Sequence, residues 1–187
     1  VLAYDTRPVV AEQVESLGGK FLKIDIGETG QTKDGYAKEL TDEQKAKQQE
    51  AQRDAIADSD IVITTAQLFG RKPPVLISKD TLALMKPGSV VVDMAATSGG
   101  NVEGSVAGET VEVNGVKVIG NGNWSQYVAK AATDMYANNI YNLVDEFFDD
   151  ETKTFGLNLE DDILAGCVIT HDGSITNDML NNAYKGA

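Results

Sequence analysis

The sequence predicts an α/β fold built around a doubly wound parallel sheet. In residues 1–95, strand-like runs alternate with helical stretches, the order that gives parallel strands joined by helices. Residues 60–65 and 89–95 are rich in β-branched side chains, as in strands that helices cover on both faces. A hydrophobic fraction of 42% in 187 residues allows a sizeable buried core.

The first half of the chain has clear start and stop signals. Residues 1–4 predict a short strand, and the helix that follows ends at Gly18-Gly19. Residues 20–26 alternate apolar and charged side chains and predict a second strand. Residues 41–44 have the pattern of a capping box, which predicts a largely solvated helix to about Ala57.

The second half begins with a short helix capped by Ser78 and then the strand 89–95. Asn114-Gly115 lies between two apolar runs and predicts a hairpin with a type I′ turn. Residues 124–147 carry one apolar stripe and predict the longest helix. We expect two short strands at residues 154–159 and 163–170, followed by a polar tail.

The composition argues against two classes of partner. The net charge is −13, so we expect neither nucleic acid nor an anionic membrane surface to bind directly. A dinucleotide is also anionic, and its site would have to be built from backbone N–H groups and a helix N-terminus. No apolar run approaches the roughly 18 residues of a membrane span, and we expect no signal peptide before the fold. We therefore expect a soluble chain without direct membrane insertion.

The single cysteine and the single histidine suggest no chemistry. One cysteine excludes an intrachain disulfide, and the apolar neighbours of Cys167 predict a buried thiol. His171 precedes Asp172-Gly173 and is predicted to be a turn histidine. Because the sequence has no Cys/His cluster and no matching carboxylate pattern, we expect no metal site.

Asp5 is the first candidate site residue. It ends the first predicted strand and precedes a helix, where a dinucleotide-binding fold places the carboxylate that binds the adenosine ribose. A carboxylate here favours NAD over NADP, because the 2′-phosphate of NADP would face a negative charge. An ordinary strand-end carboxylate in a turn is the alternative.

A Gly-rich phosphate-binding turn should precede such an acid by about 20 residues. Asp5 is preceded by four residues, so we expect the first strand and the phosphate loop to lie outside this sequence. Gly99-Gly100-Asn101 follows a strand but opens no periodic helix, and we predict a loop near the cofactor there.

Two further segments could contact a ligand. Tyr36 lies in a polar, Gly-containing loop, where it could close over a planar ligand or pack on its own loop. Gln67 follows Thr64-Thr65 at the end of a predicted strand, and ligands of open α/β sheets sit beyond such ends. Small polar residues are nevertheless common at strand ends.

Six segments form an ordered series that resembles a known family. They are residues 5–7, 13–21, 35–39, 60–66, 85–90 and 99–101. In order and spacing they resemble the NAD(H)-binding component (α subunit, domain I) of proton-translocating NAD(P) transhydrogenases, a family related to alanine dehydrogenases. The resemblance runs from Val1 to about Thr170.

The resemblance implies an enzyme that transfers a hydride from NADH to NADP, coupled to proton translocation across a membrane. It implies NAD(H) as the cofactor and NADP(H) on a partner component. It also implies NADP-binding and membrane components as partners, and a homodimer. The chain would be a soluble domain on the cytoplasmic or matrix side of a membrane complex.

The resemblance also implies a domain organisation. The chain would be the Rossmann-like second domain of a two-domain protein, with the N-terminal part absent. Residues 1–122 would be the NAD-binding domain without its first strand and Gly-rich turn. Residues 123–187 would be a linking helix and a segment that returns to the other domain.

The cofactor contacts are likewise implied by resemblance. Asp5, Thr6 and Arg7 would contact the adenosine ribose. Gly35 and Tyr36 match a loop that closes over the nucleotide, and Gln48 and Gln67 fall at positions that line the site. No catalytic acid, base or nucleophile is expected, because hydride passes directly between two nicotinamide rings and catalysis is largely orientation.

Two other functions remain open from the sequence. An alanine dehydrogenase-like enzyme would need a proton-transfer group after the strand that ends at Asp93, where this chain has Thr97. A noncatalytic NAD-binding regulatory module would bind NADH without transferring hydride.

Overall fold

A computed structural model describes residues 1–7, 9–24, 40–68 and 71–185. The chain divides into two compact units, Val1–Trp124 and Ser125–Ala187. The boundary predicted between residues 122 and 123 stays a prediction. The assignment of the second unit as a return segment stays a prediction.

The first unit starts with a small parallel sheet. Strand β1 (Leu2–Ala3) pairs with β2 (Lys20–Phe21), and helix α1 (Val9–Ser16) connects them. Gly18 follows the helix with φ of 79°, a left-handed conformation that glycine adopts without steric cost. The predicted strand–helix–strand order is confirmed here, and residues 25–26 of the predicted second strand lie outside the described residues.

A four-stranded sheet forms the centre of the first unit. Its strands are β3 (Ile61–Thr64), β4 (Val90–Asp93), β5 (Thr110–Val113) and β6 (Val116–Ile119). The order is β3-β4-β6-β5, with β3, β4 and β6 parallel and β5 antiparallel to β6. Asn114 and Gly115 both have positive φ, 52° and 78°, as a type I′ turn requires. The predicted hairpin and the parallel α/β sheet are therefore confirmed.

Two helices belong to this sheet. Helix α2 (Asp42–Ala57) begins with the predicted capping box, in which Gln44 N donates to Thr41 Oγ1 and Thr41 N donates to Gln44 Oε1. Helix α3 (Lys79–Leu82) begins at Ser78, whose Oγ accepts from Thr81 N. The solvated character predicted for α2 holds only in part, because Gln48 and Gln52 are buried.

The hydrophobic core lies between the four-stranded sheet and α3. Its members are buried aliphatic side chains from the strands and from the segments that join them: Ile77, Leu82, Met85, Val91, Val102, Val116 and Val118. Ile56 brings the end of α2 against this cluster. Burial of these side chains is the main favourable contribution to folding of the unit.

The prediction that β3 is buried on both faces is wrong. Ile61 and Ile63 are 67% and 61% exposed, whereas Thr64 is buried. Alternate side chains of a strand turn to opposite faces, so Ile61 and Ile63 share one face of β3. In the described part of the chain that face is not covered.

The second unit is mostly helical. A 3-10 helix (Trp124–Val128) leads into the long helix α4 (Ala129–Phe147), as predicted. After it come the hairpin of β7 (Phe148–Asp149) and β8 (Thr154–Phe155), helix α5 (Asp162–Cys167), the hairpin of β9 (Thr170–His171) and β10 (Ser174–Ile175), and helix α6 (Asp178–Lys185). None of the described helices combines the length and the apolar character that a membrane crossing requires.

Three predictions about the second unit are wrong. Residues 163–167 lie in α5 rather than in a strand, because Asp161 Oδ1 accepts from Ile163 N and Leu164 N and starts a helix. The region after Asp172-Gly173 forms β10 and α6 rather than a polar tail. Cys167 is exposed, because the short α5 buries only Leu164.

Candidate nucleotide-binding site

Asp5 lies just beyond the carboxyl end of β1 and is fixed by Arg7. Arg7 Nε donates to Asp5 Oδ1 at 3.0 Å, and Arg7 Nη2 donates to Oδ2 at 2.9 Å. The backbone N of Arg7 also donates to Oδ1, at 2.8 Å. The acid and the guanidinium therefore form an ion pair with two side-chain hydrogen bonds, just beyond the carboxyl end of β1.

The charge of Asp5 is stabilised by this pair. Burial favours the neutral acid, but the hydrogen bonds from the Arg7 side chain and backbone, together with its charge, outweigh burial and hold the pKa of Asp5 below its ordinary value. The same contacts raise the pKa of Arg7. Near neutral pH the site therefore presents an ionised carboxylate, which accepts hydrogen bonds from hydroxyl groups.

Tyr4, between β1 and Asp5, packs against the neighbouring strand. Its ring stacks on Phe21 of β2, with ring centroids 6.3 Å apart. Burial and the charge of Asp5 raise the pKa of Tyr4 to about 12, so the phenol stays neutral. The buried Tyr4 hydroxyl has no hydrogen-bond partner among the described residues.

Hydrogen bonds connect the loop that follows β3 with the loop that follows β4. Gln67 Nε2 donates to the carbonyl of Met94 at 3.0 Å. Asn101 Nδ2 donates to the carbonyls of Ala66 and Pro74, at 2.9 and 2.8 Å. The loop that carries Gln67 is thereby held against the end of β4.

Asp93 is the centre of this arrangement. Its carboxylate accepts from the backbone N–H groups of Ala95, Asn101 and Val102, at 3.0 to 3.3 Å. Asp93 and Asn101 are both fully buried. A Cβ at Gly100 would lie 2.9 Å from Asp93 Oδ2, so the turn requires glycine at this point.

Asp93 and Asn101 were not among the predicted site residues. The signal in the sequence was an acid that ends a β-branched run and is followed within eight residues by Gly99-Gly100-Asn101. Two glycines allow the chain to turn back over the strand end, where its N–H groups meet the acid.

The remaining predicted site residues lie on separate elements. Gln48 is buried on α2, one helical turn before the buried Gln52. Thr6 is half-buried between Asp5 and Arg7. Within the described residues, no hydrogen bond joins Asp5, Gln48 and Gln67 to one another. Gly35 and Tyr36 lie outside the described residues.

Thr97 lies in the first unit and His171 in the second. Thr97 is exposed on a short 3-10 helix, Ala96–Ser98, after β4. His171 lies in the second unit beside the turn of the β9–β10 hairpin, where its Nε2 is 3.3 Å from Asp172 Oδ2. The described residues contain no group of three or more His, Cys, Asp or Glu arranged to hold a metal ion.

Parallel strands joined by helices, with polar groups at their carboxyl ends, define a Rossmann-like α/β domain. The family described as "Alanine dehydrogenase/PNT, C-terminal domain" matches residues 1–178. The chain belongs to this family.

Relatives and solved structures agree with that assignment. The chain is 42% identical over 182 residues to an NAD(P) transhydrogenase α-subunit polypeptide of Rhodospirillum rubrum, covering 96% of this chain and 47% of the relative. It is 33% identical over 140 residues to an alanine dehydrogenase of Halomonas elongata, covering 72% of this chain and 37% of the relative.

Among solved structures, the transhydrogenase from Sinorhizobium meliloti superposes with a TM-score of 0.72 at 38% identity, covering 94% of this chain and 45% of that one. The chain spans about half the length, or less, of the curated relatives it matches.

Proposed function

We propose that this chain is the NAD(H)-binding part of a transhydrogenase that transfers a hydride from NADH to NADP, coupled to proton translocation across a membrane. The observation that carries the proposal is the ionised Asp5 at the carboxyl end of a parallel strand, in a chain related to transhydrogenase α subunits. The cofactor would be NAD(H), with NADP(H) on a partner component.

Asp5 fits the adenosine ribose of NAD. Its side chain is 27% exposed, so a ligand can reach it, and its low pKa keeps it an acceptor for hydroxyl groups. The 2′-phosphate of NADP would meet the same negative charge at close range, which disfavours that nucleotide. Thr6 and Arg7 flank the acid and are proposed to complete the ribose contacts.

The other proposed contacts would hold the rest of the dinucleotide. Gln67 lies in the loop after β3 and donates a hydrogen bond to the carbonyl of Met94, just after β4. Gln48 is buried on α2. Gly35 and Tyr36 are proposed to close over the nucleotide. Bound NAD(H) supplies the hydride chemistry, and the residues of this chain bind and orient it without transferring a proton.

The domain organisation and partners belong to the same proposal. Residues 1–122 would form the NAD-binding domain, and residues 123–187 a linking helix and a segment that returns to another domain of the subunit. The partners would be NADP-binding and membrane components and a second copy of the subunit. The chain would lie on the cytoplasmic or matrix side of the membrane.

The test uses the full-length polypeptide that carries this sequence. It is mixed with the NADP-binding component of a transhydrogenase, and the NADH-dependent reduction of an NADP analogue is followed by absorbance. The proposal expects turnover, and it expects Asp5→Ala to raise the Kd for NADH about tenfold or more, because hydrogen bonds to a charged group contribute about 1.5–3 kcal/mol.

A matched control removes a similar charge elsewhere. Asp54 is exposed and lies 3.3 Å from Arg53 Nε, so Asp54→Ala should leave NADH binding unchanged. No hydride transfer from the wild-type protein, or equal effects of the two substitutions on NADH binding, would contradict the proposal.

Two alternative functions give different results in the same experiment. An alanine dehydrogenase-like enzyme would produce NADH from alanine and NAD without any partner component. Thr97 argues against it, because a threonine hydroxyl is a poor proton-transfer group where such an enzyme needs an acid. A regulatory module would bind NADH tightly and transfer no hydride.

A further inference from the structure

Lys72 follows β3 and is held close to the segment that follows β4. Two residues further on, the carbonyl of Pro74 accepts from Asn101 Nδ2 at 2.8 Å. The backbone N of Leu76 then donates to the Asn101 carbonyl, also at 2.8 Å. Lys72 therefore lies near the carboxyl ends of two parallel strands, the edge at which open α/β sheets bind their ligands.

The aliphatic part of the Lys72 side chain lies against Gly99. A Cβ built at Gly99 would be 2.9, 3.5 and 3.2 Å from Cγ, Cδ and Cε of Lys72. Carbon atoms in ordinary contact are about 3.5–4.0 Å apart, so a side chain at Gly99 would displace the lysine. The glycine therefore leaves room for the lysine side chain, and this packing keeps the ammonium group near the turn after β4.

The ammonium group of Lys72 is not neutralised by a carboxylate. Lys72 is exposed, and none of the ion pairs among the described residues of the first unit includes it. The acid at this turn, Asp93, is fully buried and accepts from backbone N–H groups instead. In a chain with 29 acidic side chains and 16 basic ones, this positive charge is available to an anion from outside the chain.

A dinucleotide is an anion that needs such a charge. The ionised groups of NADH near neutral pH are its phosphates, and a chain with a net charge of −13 repels them unless a cation lies close by. A lysine ammonium binds phosphate as a point charge, without the fixed geometry that a guanidinium requires.

We propose that Lys72 binds a phosphate group of the dinucleotide, and that Gly99 is required there because the lysine side chain lies against it. This inference rests on the proposed function, which places the dinucleotide between Asp5 and Gln67. It adds a phosphate contact from the loop after β3 to the proposed contacts with the ribose.

The experiment measures the Kd for NADH by fluorescence titration of the full-length polypeptide, at low and at high salt. Lys72→Met removes the charge and keeps an unbranched side chain that can lie against Gly99. Lys72→Arg keeps the charge. The matched control is Lys86→Met, because Lys86 pairs with Asp60 at the amino end of β3 and its loss changes the net charge equally.

The expected result depends on charge and on salt. At low salt, Lys72→Met should raise the Kd for NADH about fivefold, less than Asp5→Ala because the contact is exposed. Near 1 M salt, where charges are screened beyond about 3 Å, the difference from wild type should fall below about twofold. Lys72→Arg and Lys86→Met should stay within about twofold of wild type at both salt concentrations.

Three outcomes would overturn the inference. The first is a Kd for Lys72→Met that equals the wild-type value at low salt. The second is a loss of the same size at low and high salt, or in Lys86→Met, because neither is the behaviour of a direct charge contact. The third is a loss of hydride transfer at saturating NADH with unchanged NADH binding, which would assign Lys72 to a contact with the partner component.

Failure of the proposed function is visible separately. If the wild-type protein does not bind NADH, the proposed function and the role of Lys72 are both rejected. If it binds NADH and transfers no hydride, the transhydrogenase reaction is rejected, while the Kd values still decide the role of Lys72. If Asp5→Ala weakens NADH binding and Lys72→Met does not, only the role of Lys72 is rejected.

Discussion

Two carboxylates lie at the carboxyl ends of parallel strands in the first unit, and they are held in different ways. Asp5, after β1, is partly exposed, and most of its hydrogen bonds come from one arginine side chain. Asp93, at the end of β4, is fully buried and accepts from backbone N–H groups. The two acids occupy equivalent places in the sheet pattern but have different surroundings.

The difference shows what each acid can do. Backbone donors cannot leave Asp93 without unfolding the turn that supplies them, so this acid maintains the shape of the edge. A side-chain donor can swing away, so Asp5 can take a new partner while the fold stays intact. One acid is therefore structural, and the other is suited to recognition.

The largest expected effect comes from Asp93→Asn. The amide would replace one acceptor oxygen with a donor that faces backbone N–H groups. Each buried N–H left unsatisfied costs about 1–3 kcal/mol, so we expect a loss of about 3 kcal/mol in the free energy of unfolding, measured by urea denaturation. Asp161→Asn is the control, because asparagine caps a helix as well as aspartate does. A loss below about 1 kcal/mol would contradict the structural role of Asp93.

Asn101→Asp should cause the next largest loss in the free energy of unfolding. A carboxylate would face the carbonyls of Ala66 and Pro74, which now accept from Nδ2. We expect a loss of about 2 kcal/mol near neutral pH. Burial would raise the pKa of the new acid, so the variant should become relatively more stable as pH falls and the acid is protonated.

The control for this pH dependence is Asn158→Asp. Asn158 is exposed, and its Oδ1 accepts from Glu160 N, a bond that aspartate keeps. Its stability should follow that of the wild type at every pH. An Asn101→Asp variant that behaves in the same way would show that the two carbonyl contacts do not hold the loop.

Asp5→Asn should change stability much less than Asp93→Asn. The Asp5–Arg7 pair is partly exposed, and such pairs contribute about 0–1 kcal/mol. Urea denaturation should therefore show a loss below about 1 kcal/mol, even though the proposed function expects a large loss of NADH affinity. A loss as large as that of Asp93→Asn would abolish the distinction between the two acids.

The smallest expected effect is the change in stability with pH that comes from the titration of Asp5. Its pKa lies below the ordinary value of about 3.9, so the stabilisation from the ion pair is present above about pH 4 and is lost as pH falls through the lower folded value. NMR titration of the carboxyl carbon measures this directly. In Arg7→Gln the backbone hydrogen bond to Asp5 remains, but the charge and the side-chain hydrogen bonds of the arginine are lost, so the pKa of Asp5 should rise from its wild-type value.

Much of the first unit could be predicted because its signals are local. The capping box of α2 and the Asn114-Gly115 turn depend on residues only a few positions apart, and both are present in the structure. The exposure of Ile61 and Ile63 could not be predicted, because it depends on which other parts of the chain pack against that face of β3. Sheet order follows from contacts between distant parts of the chain.

The second unit and the Asp93 network were harder to predict for related reasons. The apolar run at residues 163–170 is too short for its periodicity to distinguish a helix from a strand. Asp5 and Asp93 also look alike in sequence, since both follow an apolar run. Only the folding of the Gly99-Gly100 turn over β4 shows that one of them is buried.

The two glycines of that turn also limit how this protein can evolve. Gly99 and Gly100 have φ of 118° and 78°, and a side chain at Gly100 would collide with a carboxylate that cannot move. Both positions have a backbone conformation that favours glycine, so the turn after β4 tolerates little change. Asp5 and Arg7 form a partly exposed pair, so substitutions there should cost the fold much less.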